Sequence, residues 1–210
     1  MPFSLAAVIL AAGRSVRMGQ PKLLLPWGGR SIIGHLLAQW RDLKAQQITV
    51  VCAGGDMNIQ EELDRLGFPT GDRIINPAPD RGMFSSIQCA AQWKGWKANL
   101  THWAMVLGDQ PQLSRKTLQT IIDFSAANAS RICLLRQGGH RRHPVLMPRQ
   151  EFAELANSDA TDFKSHLDSR ALAPALCDLN DPALELDIDT PEEYERIAPG
   201  HGGTGDSFRT

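Results

Sequence analysis

One stretch restricts this chain more than any other: Ala6-Ala7-Val8-Ile9-Leu10-Ala11-Ala12-Gly13-Arg14-Ser15-Val16-Arg17-Met18-Gly19-Gln20-Pro21-Lys22. Its first half is a short apolar run stopped by a glycine, the pattern of a strand buried on both faces. Its second half is a loop of small residues, with Gly13 and Gly19 for tight turns and Arg14, Arg17 and Lys22 as cations. A loop leaving the C-terminal end of a parallel strand lines the ligand crevice of an open α/β sheet. Accessible backbone N–H groups beside cations suit a polyphosphate. The loop is not a P-loop, because Gln20-Pro21-Lys22 follows Gly19. Nor is it a dinucleotide fingerprint, because only Gly13 is in place. The rival reading is a plain surface connection with solvated arginines, for which so many cations beside glycines are a poor design.

The rest of the chain alternates helix and strand patterns. Ser31–Ala45 carries Ile32, Ile33, Leu36, Leu37 and Trp40 at helical spacing behind a Ser31 cap. Gln47–Ala53 predicts a strand closed by Gly54-Gly55, Ile59–Leu66 a short helix, and Ile74-Ile75 a brief strand ended by Asn76-Pro77. Met83–Trp93 predicts a helix opening on Ser85-Ser86, Trp103–Leu107 a buried strand, and Ser114–Asn128 a capped helix. Ile132–Leu135 and Pro144–Met147 are extended, and helices cover Gln150–Ala156 and Asp162–Ser169. Glu185–Ile188 predicts a last strand, and Pro191 opens a helix to Ala198. Such alternation argues an α/β domain with a parallel sheet covered on both faces. No linker is evident, so residues 1–198 form one domain, with an acceptor-side region near 138–185. The glycine-rich tail 199–210 is expected to be disordered.

Bulk properties exclude several classes. A net charge of −1 gives no electrostatic case for nucleic acid or an anionic membrane. The phosphate site must therefore come from local cations. Cys52, Cys89, Cys133 and Cys177 include no Cys-x-x-Cys pair, which argues buried thiols in a reducing, cytoplasmic setting. Leu5–Ala12 has no basic segment before it and is not a signal peptide, and no run is long enough to span a membrane.

Carboxylates complete the pattern. Asp109 follows the strand Trp103–Leu107 in Gly108-Asp109-Gln110-Pro111, and so faces the same crevice as the first loop. Mg²⁺ takes one or two carboxylates together with substrate phosphate oxygens, which suits Asp109. An Asx turn before Pro111 is the alternative. Asp189 reads equally as a metal ligand or as a cap of the last helix, either directly or beside a Thr190 cap. Asp187 would share a strand face with it. Gly82-Met83-Phe84-Ser85-Ser86 is a second small-residue loop entering a helix N-terminus, an anion-attracting end that Ser85 or Ser86 would also cap. Gly138–Val145, with His140, Arg141, Arg142 and His143, suits an anionic acceptor and lacks further ligands for a metal.

Leu10-Ala-Ala-Gly-x-Ser-x-Arg-Met-Gly-x-Pro-Lys22, continued by Leu23-Leu24-Leu25-Pro26, resembles the signature loop of the molybdenum cofactor guanylyl- and cytidylyltransferases, and most of all the cytidylyl branch. The resemblance extends from about residue 5 to about residue 197. It implies a three-layer αβα Rossmann-like, GT-A-like nucleotidyltransferase fold with a mostly parallel sheet. It also implies Mg²⁺-dependent transfer of CMP from CTP to the phosphate of molybdopterin, with pyrophosphate released. A molybdoenzyme or maturation protein would be a further partner. On this footing Lys22, Arg17 and Asp109 are catalytic, and Asp109 and Asp189 hold the metal. Leu10, Ala11, Ala12, Gly13, Arg14, Ser15, Lys22, Gly54, Asn76, Gly82 and Ser86 meet the nucleotide, and His143 and Pro144 meet the acceptor. Two departures bear on the acceptor. Arg142 stands where relatives have the glycine of Gly-His-Pro, and Ser158-Asp159-Ala160-Thr161 replaces a Gly-Asp-x-Gly turn. Rival readings are GTP use, another phosphorylated acceptor such as a sugar or alcohol phosphate, and a non-catalytic nucleotide-binding maturation protein.

Overall fold

The computed structural model describes residues 2–199. The expectation about the tail lies, from residue 200 onward, outside the described residues. The chain runs β1 (Leu5–Ala11), β2 (Pro26–Trp27), β3 (Arg30–Ser31), α1 (Ile32–Asp42), β4 (Gln47–Ala53), α2 (Met57–Arg65), β5 (Arg73–Asn76) and α3 (Met83–Gln92). It continues through β6 (His102–Leu107), α4 (Arg115–Ala127), β7 (Cys133–Gln137), β8 (His140–Pro148), α5 (Arg149–Glu154), α6 (Phe163–Asp168), β9 (Ala175–Asp178) and α7 (Pro191–Ile197).

Seven strands form one sheet in the order β5-β4-β1-β6-β8-β7-β9. The two faces of β1 show how its apolar run is used. Leu5, Ala7, Ile9 and Ala11 enter one core with residues of α1, α2, α4 and α7. Ala6 and Val8 enter the other with residues of α3, α5 and α6. A strand with helices on both sides has no polar face to present, which is why the run is continuous rather than alternating. α1 closes on its core through Leu37 and Trp40, both at 0% exposure. The αβα architecture is as expected.

Three details refine or correct the sequence reading. First, the sheet is mostly parallel, as expected; the exception is β8, which runs antiparallel to both β6 and β7. The tight Gly138-Gly139 turn, with positive φ at both residues, makes β7–β8 a hairpin instead of a crossover. Second, Glu185–Ile188 is not a strand. Pro182–Glu185 is a 3₁₀ turn, and the seventh strand is β9, which pairs parallel with β7. Third, a small hairpin, β2–β3, separates the first loop from α1. Among the described residues no helix is long and apolar enough to cross a membrane. The cysteines are free; Cys89 is half-buried and the others are buried, and burial pushes the Cys52 thiol up to about 12.

Two buried imidazoles and a half-buried one are expected to make the fold acid-sensitive. Burial lowers the pKa of His35, His102 and His166 below the ordinary value of 6.5, with Arg30 and Arg170 adding to the effect at His35 and His166. Below that value the unfolded chain takes up protons that the native state refuses, so stability present above it is lost as pH falls. The thermal midpoint is expected to drop between about pH 7.5 and about pH 5.5, each 1 kcal/mol appearing as roughly 2–4 °C. A midpoint that rose over this interval would contradict this.

Candidate active site

β1 and β6 are parallel neighbours, with Leu10 opposite Leu107, so the loops that follow them leave side by side. This is where the strand order reverses, since β4 lies on the other side of β1. Gly108 permits the close approach. A Cβ there would lie 2.8 Å from Leu23 Cδ2 and 3.0 Å from the Leu10 carbonyl oxygen, so a side chain would force the loops apart. The first loop is turned back by Ser15 and Gly19, at φ 49° and 68°. The Lys22 amide donates to Ser15 Oγ at 3.2 Å, which aims the lysine across the end of β6.

Three parts of the chain meet at Lys22. Its Nζ donates to Asp109 Oδ2 at 2.9 Å, to the Ile188 carbonyl at 3.1 Å and to Asp189 Oδ1 at 3.2 Å. Arg17 donates to the other oxygen of Asp189 at 2.6 Å, and Arg14 pairs with Asp80 at 2.6 Å in an exposed contact. Asp189 is delivered by the backbone: the Ile188 amide donates to the Asp109 carbonyl at 3.1 Å, and the Ile188 side chain is fully buried. α7 is then anchored by Tyr194, whose hydroxyl donates to the Pro26 carbonyl at 2.6 Å.

The competing roles of the aspartates separate here. Thr190, not Asp189, caps α7, and it forms a reciprocal capping box with Glu193. The Asp189 carboxylate is left facing Lys22. Asp187 accepts from Gln110 Nε2 at 2.8 Å, and no strand aligns it with Asp189. Asp109 Oδ1 is buried and has no hydrogen-bond partner. A buried, unsatisfied carboxylate oxygen calls for a cation or a water. With Asp189 beside it, the pair fits one divalent ion completed by substrate oxygens. Among the described residues no group of three or more His, Cys, Asp and Glu side chains gathers for a metal, so they form no all-protein cage.

A cleft of ≈ 340 Å³ opens beside these carboxylates. Leu10, Ala11, Ala12, Gly13, Arg14, Lys22, Gly82, Ser86 and Asp109 all line it. On the other side of the Gly13 loop, Ser15 and Gly54 line a second cavity of ≈ 450 Å³ that also contacts Ala12, Arg14 and Lys22. The N-terminus of α3 reaches the first cleft through Met83, with Gly82 at φ 85° and no side-chain cap. Neither Ser85 nor Ser86 caps this helix. Both hydroxyls accept from the Asn76 amide, at 2.8 and 2.9 Å. Asn76 is buried and locks the second loop to α3 instead of lining either cavity.

Two predicted acceptor residues part company. His143 lines a third cavity, of ≈ 910 Å³, which shares Met83 with the cleft. Its Nδ1 donates to the Met105 carbonyl at 3.3 Å. Burial holds the His143 pKa below the usual histidine value, with that hydrogen bond and the charges of Asp109 and Asp187 acting in the opposite sense. Pro144 is buried toward Leu36 and Trp40 on the opposite side of the sheet. Sequence reasoning passed over Asp80, which lines the cleft and pairs with Arg14, and Asp56 and Asn58 in the second cavity. Asp80 lies in Pro79-Asp80-Arg81-Gly82, directly before a segment already singled out, and that proximity was the available signal.

Residues 7–173 match the MobA-like NTP transferase domain. The chain belongs to the MobA-like NTP transferase family. Among solved structures, Rv0371c from Mycobacterium tuberculosis H37Rv superposes on this family member with a TM-score of 0.75. It is 27% identical, with 94% of this chain and 98% of that one covered. A complex of Rv0371C with manganese from the same organism gives 0.69 at 25% identity, covering 94% and 99%. The bifunctional protein GlmU of Streptomyces griseus subsp. griseus is 32% identical over 132 residues, which is 62% of this MobA-like chain. That match takes in 27% of GlmU, so the chain spans about a quarter of the length of the curated relatives it matches.

Proposed function

We propose that this MobA-like NTP transferase is a divalent-metal-dependent nucleotidyltransferase that moves CMP from CTP to the phosphate of molybdopterin and releases pyrophosphate. The observation that carries the reading is the convergence of Asp109 and Asp189 on Lys22, with Lys22 and Asp109 lining the same cleft as the Gly13 loop. An acceptor phosphate oxygen attacks the α-phosphorus, an O–P bond forms, and the bond to the β-phosphate breaks. The acceptor is already ionised at neutral pH, so no general base is assigned. Both reactants are anions, and the protein's task is positioning and neutralisation.

Asp109 and Asp189 are the residues that would hold Mg²⁺, and the manganese complex of Rv0371C supports a divalent ion in this family. When bound, the ion supplies positive charge to the phosphate oxygens. Lys22 releases its carboxylate contacts and follows the charge that grows on the departing pyrophosphate. Arg17 holds Asp189 in place, and Arg14 and the α3 N-terminus meet the triphosphate. Molybdoenzymes or maturation proteins would take up the product in a cytoplasmic setting.

CTP preference rests on Ala12, which lines both cavities beside the Gly13 loop and is 8% exposed. Its methyl narrows the space next to the base, which a pyrimidine tolerates better than a purine. Steric selection of this kind is worth about 1–3 kcal/mol, a preference rather than exclusion. Pyrophosphate release with CTP, GTP, ATP and UTP, against molybdopterin and a sugar-phosphate panel, tests the whole reading. CTP should be fastest, and Ala12→Gly should narrow its lead over GTP. Faster turnover with GTP in the parent protein would overturn the nucleotide assignment. Activity confined to a sugar phosphate would overturn the acceptor and leave the transferase.

A further inference from the structure

The ≈ 910 Å³ cavity between the β7–β8 hairpin and α6 carries more charge than its neighbours neutralise. Its carboxylates are already engaged. Asp168 pairs with Arg141, and Asp162 caps α6 by accepting from the Ser165 amide at 2.7 Å. Its remaining cations, Arg142 and Lys164, have no carboxylate partner among the described residues. Arg142 is the more informative of the two. It is half-buried, and its Nε is shielded from solvent without any hydrogen-bond partner. A guanidinium offers five donors in a planar fork; the shielded Nε–H is closed to a ligand as well as to water, but the terminal nitrogens also have no partner among the described residues and are the donors left for one. That fork matches a phosphate or carboxylate edge. The cavity shares Met83 with the nucleotide cleft, so an anion held here borders that cleft.

We propose that Arg142, assisted by Lys164, binds the oxyanion group of the acceptor and determines which acceptors are used. Its role as an acceptor residue rests on the transferase reading above; the anion site itself does not. The side chain has no partner in the fold to lose, so Arg142→Gln should leave the thermal midpoint unchanged or raise it.

Inorganic phosphate is the probe. Its binding is followed by titration calorimetry and ³¹P line broadening with the nucleotide cleft saturated by CTP and Mg²⁺. The parent protein should bind phosphate under these conditions. Arg142→Gln should weaken that binding at least about tenfold, Lys164→Gln should weaken it less, and CTP affinity should stay unchanged in both. Arg142→Lys should recover part of it, since charge is kept and the fork is lost. Phosphate displaced by CTP, or bound equally well by Arg142→Gln, would overturn the proposal. Arg142-dependent phosphate binding in a protein that binds no nucleotide would uphold the anion site and remove its assignment as a transferase acceptor site.

Discussion

Asp109→Asn is expected to lower kcat about 10³-fold while changing metal-free nucleotide affinity little, a loss comparable to removing a preorganised electrostatic contact from an active site. Asn keeps the size of the side chain and the contact with Lys22, so the change isolates charge. Asp109 is the only carboxylate on the β6 turn, and its Oδ1 has no partner in the fold. The amide cannot supply that oxygen's charge to a divalent ion, and raising Mg²⁺ should not restore the rate. Asp189→Asn should give a smaller loss, since Arg17 and Lys22 hold the side chain in place, and no helix cap is sacrificed because Thr190 provides it. Steady-state kinetics at saturating Mg²⁺, with a thermal melt of each variant, measure both effects. Near-wild-type turnover of Asp109→Asn would remove Asp109 from the mechanism.

Lys22→Ala should reduce kcat about 10²-fold with little change in KM, the signature of a group that acts on charge developed in the transition state. The structure adds an effect that can be read without substrate. The Lys22 side chain is 14% exposed and separates two carboxylates that are 25% and 26% exposed. Removing the cation leaves those anions facing each other. The resulting destabilisation should be about 2 kcal/mol, less than the ~3–5 kcal/mol of a fully buried broken pair because water reaches this one. Mg²⁺ should then raise the thermal midpoint of Lys22→Ala more than that of the parent protein, because the ion replaces the missing charge. A raised KM with unchanged kcat would instead make Lys22 a ground-state binding residue. A midpoint insensitive to Mg²⁺ would argue that the two aspartates do not share an ion.

The parts of this protein legible in its sequence are those set by short-range chemistry. A short apolar run stopped by a glycine reads as a strand covered on both faces, so β1 and its loop are evident from Ala6 to Lys22. Glycine at 108 and the carboxylate after it follow from the same local logic, as do α1 and α4, whose Ser31 and Ser114 caps accept from the amides three residues on. Other features have no local cause. Lys22 and Asp189 are 167 residues apart, and their meeting depends on the Ile188 amide finding the Asp109 carbonyl. Whether Asp189 or Thr190 capped α7 was open in the sequence because both have capping side chains; the capping box with Glu193 resolved it and left the carboxylate to Lys22. Asn76 carries the polarity of a ligand-binding residue, and only packing turned it inward to hold two serines. The direction of β8 and the existence of β9 likewise depended on partners, since strand pairing is made between distant segments and leaves little mark on either one alone. Residue type and spacing thus determined which groups were available for the chemistry. Tertiary structure decided which of them share one few-ångström volume, because charge and hydrogen bonding act over distances in space that the order of residues does not encode.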